Sequence, residues 1–283
     1  MVPFAEAAEF AQVAALGEQR GWDGVFTWES LYGEHAWVTL AAAAVQTSRI
    51  RLGTLLTPAS RHRPWDLASM VSTVDRLSAG RVVMTVGLGA LHDGWTRFEP
   101  DEGRRVRAQK LDEALAVWAG LLSAEPFSFE GRHYPVAAAH PEEAPPAPPP
   151  PAQRPHPPVW CVGAYFPHRE RQPSLERAAR WDGILPLVGD AAADEGTPSL
   201  TVAGLAEVLG TVRQLRADTG RPWDGYDVVI EGDSTGEFVK SDGTPEQWAR
   251  AGATWWIESW WTLEPGPAGL AELRRRVEAG PPR

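Results

Sequence analysis

One cysteine, Cys161, occurs in 283 residues. That scarcity excludes a disulfide framework and any cysteine-based metal site. Lysine is nearly as rare, with Lys110 and Lys240 against 25 arginines. Schiff-base chemistry needs a lysine desolvated beside a reacting carbonyl. Lys110 falls inside a helical pattern and Lys240 in a polar loop, so that class is set aside. No basic run offsets the formal charge of −10, which argues against a nucleic-acid or anionic-membrane surface. The longest basic cluster, Arg274-Arg275-Arg276, complements the end of the last helical pattern. No stretch approaches the roughly 18 apolar residues of a membrane span, and no signal-peptide order opens the chain. A soluble cytoplasmic protein is the expectation. The seven histidines (35, 62, 92, 133, 140, 156 and 168) lie in loops or helix starts, never paired on a strand. A metal enzyme is therefore not expected.

What is present is alternation. Helical periodicity runs over 4–20, 34–47, 64–79, 103–122, 172–180, 201–219, 244–251 and 267–279. Between these lie short apolar runs at 24–28, 50–56, 82–87, 158–163, 183–187, 226–231 and 253–258. The joint GWDGVF at 21–26 returns as RWDGIL at 180–185, and more loosely as AGATW at 251–255. In each, a helix pattern ends and an apolar strand begins, with glycine making the stop cheap. Strictly alternating short units give parallel strands with right-handed crossovers, and eight close a barrel. The chain is read as a single domain, 1–283, with the fold of a (β/α)8 TIM barrel. Its first strand is missing, because helical periodicity begins with only Met1, Val2 and Pro3 ahead of it. Residues 126–136 read as a hairpin turning at Glu130-Gly131. A proline-rich insertion follows at 137–158, where ten of the eighteen residues 141–158 are proline. Such a stretch forms neither helix nor sheet and reads as a spacer or lid.

In such barrels the active site is built at the C-terminal strand ends. Glu29, Glu231 and Glu258 all fall there, and paired carboxylates are what a glycoside hydrolase needs. The competing reading is that they cap helices or meet arginines. The run VGLG at 86–89 permits close backbone approach to a flat ring or a phosphate. The loop DSTG at 233–236 offers hydroxyls and N–H groups to a phosphate, yet each stretch alone is equally an ordinary tight turn.

Taken together, TSRIRLGTLLTP (47–58), RPWDLA (63–68), DRLSAGR (75–81) and VGLG (86–89) resemble the luciferase-like monooxygenase superfamily. Weaker matches are GWDGVF (21–26), FEGRHY (129–134), PPVW (157–160), GATWWIE (252–258) and GPPR (280–283). The resemblance covers nearly the whole chain. It implies a (β/α)8 barrel that binds FMN or coenzyme F420 and acts as an oxidoreductase or monooxygenase on a small organic substrate. An FMN enzyme would call for a separate flavin reductase, and a homodimer is the family's expected state. The cofactor ring is expected at the strand ending near Thr54, Leu55 and Thr57, where the family often has a non-prolyl cis peptide. Gly87 and Gly89 would let it lie close, and Trp28 and Gly163 would complete the lining. Many members carry a histidine where this chain has Glu29-Ser30. Serine cannot replace imidazole as an acid–base group near neutral pH. Either Glu29 or another group handles protons, or hydride chemistry proceeds without a protein acid. Glu29, Ser30 and Glu258 are the expected catalytic residues. The rival class is a non-catalytic paralogue that binds a ligand or a complete partner.

The densest aromatic cluster, GATWWIESWW at 252–261, is read as barrel wall. Alternation places Trp255, Ile257 and Ser259 on one face and Thr254, Trp256 and Glu258 on the other. Only Trp260 and Trp261, past the strand, are placed to reach a pocket mouth.

Overall fold

A computed structural model describes residues 1–3, 5–91, 94–137, 149–189, 200–237, 241–261 and 263–282. Half of the proline-rich segment, 138–148, lies outside the described residues. The eight described α-helices are α1 (Ala7–Gln19), α2 (Ala36–Gln46), α3 (Pro64–Leu77), α4 (Arg104–Leu122), α5 (Pro173–Ala178), α6 (Val202–Asp218), α7 (Pro245–Ala251) and α8 (Pro267–Ala279). The seven described strands are β1 (Gly24–Thr27), β2 (Arg51–Thr57), β3 (Val82–Val86), β4 (Val159–Tyr165), β5 (Gly183–Val188), β6 (Asp227–Gly232) and β7 (Trp255–Glu258). They alternate with the helices as the periodicity predicts. No described helix is long and apolar enough to cross a membrane. The chain divides into two compact units, one built on Ala5–Gln19 and Asp23–Pro157, the other on the opening residues, Arg20–Trp22 and the chain from Pro158 onward.

In the first unit β1, β2 and β3 pair in parallel, with Thr27 beside Thr54 and Thr54 beside Met84. Every residue of β1 and β3 is buried, as befits parallel strands covered on both faces. The β2–β3 register slips between Thr54 and Thr57, a bulge at the end of β2. Helix α3 opens on Pro64, whose fixed φ suits a first turn, and buries Leu67, Ala68, Val71 and Val74 at helical spacing. Asp75 on the same helix accepts from Gln153 N (2.9 Å) and Nε2 (2.7 Å), fastening the described end of the proline-rich segment. Residues 126–136 form the expected hairpin, bridged between Phe129 and Val136. Glu113 on α4 accepts from the backbone N–H groups of Arg132, His133 and Tyr134. The Tyr134 hydroxyl donates to Ser60 O at 3.0 Å.

Glu18 ends α1 in the same manner, accepting from the backbone of Ser48, Arg49 and Ile50 just ahead of β2. Burial works against its ionisation, but the three backbone donors and the Ser48 hydroxyl overcome it and hold its pKa at about 2. A depressed carboxylate contributes stability above its unfolded pKa and loses it as pH falls through the folded value. At this partly exposed position the contribution is about 1–2 kcal/mol. Glu18→Gln is therefore expected to lower the urea-unfolding free energy by about that amount at pH 7. The gap to wild type closes between pH 4.5 and about pH 2. A gap that stays constant with pH would show that the carboxylate charge is irrelevant.

In the second unit β4, β5, β6 and β7 pair in sequence, all parallel. Val2 lies parallel to Ser259 and donates its N–H to Glu258 O at 2.8 Å. Met1 and Val2 are buried, so the opening residues extend the sheet beside β7 although they form no full strand. Trp255 packs on Trp160 with ring centres 5.2 Å apart and donates to Asp227 at 3.0 Å. Trp256 donates to Glu258 at 2.7 Å, two residues on along the same strand face. Trp260 is buried edge-to-face against Trp22, 6.0 Å between centres. Of the two tryptophans past the strand, only Trp261 is exposed.

Candidate active site

Parallel strands bring their C-terminal ends, and the loops that follow, to one side of the sheet. In the first unit this side carries Trp28, Glu29 and Ser30 after β1, Thr54 to His62 through and after β2, and Thr85 to Gly89 through and after β3. Glu29 is the hub. Its Oε2 accepts from Thr57 Oγ1 at 2.8 Å, and its Oε1 meets His62 Nε2. Thr57 Oγ1 lies 3.0 Å from Thr54 Oγ1, which in turn lies 3.3 Å from Thr85 O. A hydroxyl has one proton to donate. If Thr57 gives its proton to Glu29, it accepts from Thr54, and the chain of hydroxyls points toward the carboxylate. The peptide between Leu55 and Leu56 is cis, at the strand where the resemblance places one.

His62 is not singled out by its sequence surroundings, because Ser60-Arg61-His62-Arg63 has the pattern of a polar loop before Pro64. The usable signal is positional. In alternating β and α units, the loops after β1 and after β2 share one rim, so a histidine in the second can reach a carboxylate in the first. A short 3-10 turn, Ala59–Arg61, aims it there.

Gly89, at φ +77°, leaves room for the Arg61 guanidinium, which would lie 2.2 Å from a Cβ at that position. The same guanidinium stacks over Trp95 at 5.6 Å, with Arg107 over that ring at 5.8 Å. Gly87 N donates to Thr57 O at 3.3 Å. The Thr85 hydroxyl is buried and has no hydrogen-bond partner among the described residues. Ser30 serves its own loop, accepting from Gly33 N at 3.0 Å and donating to Glu34 O at 3.3 Å.

Two expected site residues belong to the second unit. Glu258 is buried and accepts from Ser234 N (3.1 Å) as well as from Trp256. Gly163 is required by packing: a Cβ there would fall 2.5 Å from Ile184 Cδ1 and 3.1 Å from Leu175. The 233–236 loop has already filled its own anion nest. Asp233 takes the N–H groups of Thr235 (3.0 Å) and Glu237 (2.9 Å), and Glu258 takes that of Ser234. A phosphate would compete with two buried carboxylates there. Among the described residues no cluster of three or more His, Cys, Asp or Glu is arranged to hold a metal ion.

Residues 3–233 match the family described as luciferase-like monooxygenase. Among solved structures, monooxygenase RslO1 from Streptomyces bottropensis is 19% identical with a TM-score of 0.71, over 96% of this chain and 90% of that one. The coenzyme F420 dependent tetrahydromethanopterin reductase of Methanopyrus kandleri is 18% identical (TM-score 0.64), over 82% of this chain and 64% of that one. The oxygenating constituent of 3,6-diketocamphane monooxygenase from Pseudomonas putida, in complex with FMN, is 16% identical (TM-score 0.61), over 79% and 60%. This chain thus spans less than two thirds of the last two. At these identities the likeness is one of fold.

Proposed function

The chain belongs to the luciferase-like monooxygenase family, and from that premise we propose that it is an oxidoreductase acting on a small organic substrate with FMN or coenzyme F420. The observation that carries the reading is the Glu29–Thr57–Thr54 cluster with His62, gathered where β1 and β2 end. The surroundings fit a flat, polar-edged ring. The bulge at the end of β2 takes its backbone out of register with β3. Gly87 and Gly89 present backbone without side chains, and the buried Thr85 hydroxyl has hydrogen-bonding capacity to offer.

In this reading Thr54, Leu55, Thr57, Gly87 and Gly89 hold the ring, and Trp28 completes its lining. Bound there, the cofactor supplies hydride transfer or, as reduced FMN, activation of oxygen. The protein's share is orientation, exclusion of water and the handling of protons. Glu29 is the expected proton-linked carboxylate. Ser30 and Glu258 contribute by keeping their loops in place. Closure of the strands into a (β/α)8 barrel, a cytoplasmic homodimer and, for FMN, a separate flavin reductase belong to the same proposal. Glycoside hydrolysis loses its support, since Glu258 is committed to Ser234 and Trp256.

Absorbance titration of the folded protein with FMN and with F420 tests the reading. One of the two is expected to bind at micromolar concentration with a perturbed visible band. Failure of both in a folded sample would leave the non-catalytic paralogue as the better account.

A further inference from the structure

Three carboxylates that hold loops in this protein receive backbone N–H groups. Glu18 receives three, Glu113 three, and Glu258 that of Ser234. Glu29 differs. Among the described residues both its oxygens are engaged by side chains that carry exchangeable protons, the His62 ring and the Thr57 hydroxyl. The pair is shielded yet reachable, with side-chain exposures of 18% for His62 and 10% for Glu29. With Nε2 against Glu29, the ring keeps Nδ1 without a hydrogen-bond partner among the described residues. A carboxylate that fixes one ring nitrogen sets the ring's tautomer and orientation.

We propose that His62 is the catalytic acid–base residue of this site and that Glu29 is its positioning residue. The imidazole comes from the loop after β2, and the residue beside Glu29 in the loop after β1 is Ser30, whose hydroxyl is engaged within its own loop. In the step, the doubly protonated ring gives its Nδ1 proton to a substrate oxygen bearing negative charge. The N–H bond breaks, an O–H bond forms, and the neutral ring keeps its other proton on Nε2 against Glu29. The reverse step takes the proton from a substrate hydroxyl. The electron pair moving to or from substrate carbon belongs to the flavin or deazaflavin of the proposed function, and on that point the inference rests on that reading.

Two measurements need no cofactor. In protein labelled with 15N-histidine, a solvent-protected, downfield ring N–H is expected, identified by its loss in His62→Gln and lost as well in Glu29→Gln. Carbethoxylation of His62 by diethyl pyrocarbonate, followed by mass spectrometry, is expected to slow about tenfold in Glu29→Gln. In loaded enzyme, with the first of cyclohexanone, 2-propanol or decanal that wild type turns over, His62→Gln is expected to lower kcat about 100-fold. KM and cofactor affinity should then stay within about threefold. Should Glu29→Gln fail to fold, Glu29→Asp withdraws the carboxylate and predicts the same losses. A ring proton that persists in Glu29→Gln, modification insensitive to Glu29, or unchanged kcat in His62→Gln would overturn the assignment while leaving cofactor binding intact. Absence of cofactor binding with the ring proton present would instead sink the oxidoreductase reading.

Discussion

Arg81→Met is expected to lower the unfolding free energy by about 4 kcal/mol, read as a shift of the urea midpoint. Arg81 stands just ahead of β3 and is 8% exposed. All five of its N–H donors are used. Nε reaches Ser78 O at 2.7 Å, and Nη1 reaches Thr47 Oγ1 at 2.8 Å and Ile50 O at 2.9 Å. Nη2 reaches Ala44 O and Thr47 O, both at 3.0 Å. One planar fork thus satisfies carbonyls where α2 ends, where β2 begins and where α3 stops. Burial pulls the guanidinium below the ordinary arginine range, partly offset by Glu18, and it stays charged at any working pH. Methionine fills the volume and leaves four carbonyls unpaired, each costing about 1 kcal/mol or more. Arg81→Lys should recover less than half, because an ammonium cannot reach in a plane to both sides. A loss below about 1 kcal/mol for Arg81→Met would mean that water replaces the fork without penalty.

Gly53→Ala is expected to cost about 3 kcal/mol, and Gly53→Val to prevent folding. A Cβ at this position of β2 would lie 2.5 Å from Val83 O and 2.6 Å from the Phe26 ring. Val83 O is backbone of the neighbouring strand and cannot yield without disturbing the β2–β3 ladder. Phe26 is fully buried and has nowhere to turn. The strain enters one residue before Thr54, so the hydroxyl chain to Glu29 should be displaced in whatever fraction folds. Gly210 on the exposed side of α6 is the contrast, since nothing lies within 4 Å of its added Cβ. Gly210→Ala should stabilise by about 0.5–1 kcal/mol through helix propensity. Equal effects at the two positions, measured by thermal and urea unfolding, would refute the steric argument.

Much of this architecture is legible in the pattern of residues, because periodicity reports burial. The apolar spacing of α3 and the nearly continuous apolar run of β3 identify those elements from the sequence alone. The 126–136 hairpin is legible because Glu-Gly marks a turn. What stays hidden is what depends on side chains from separate elements meeting. Nothing local to Ser60-Arg61-His62-Arg63 says that its histidine turns toward Glu29. Nothing local to Asp233 says that its carboxylate occupies the N–H groups a phosphate would use. Glycine is ambiguous for the same reason: Gly163 looks like room for a ligand and is room for Ile184 and Leu175. Strand parity sorts Trp256 and Glu258 onto one face correctly, but it has no purchase on Trp260, whose burial against Trp22 follows the end of regular structure.

The Tyr134 hydroxyl bond to Ser60 O sets a condition on re-engineering this protein. Burial raises the phenol's pKa, so it remains a proton donor through the neutral range. The turn it steadies is Ala59–Arg61, and the residue after that turn is His62. A hairpin is an inviting module to exchange when altered substrate range is wanted. Here any graft over 126–136 inherits an obligation to deliver a donor of phenol length at position 134. A graft that matches in backbone but ends in phenylalanine would release the turn and loosen the imidazole, although no residue of the original site had been touched.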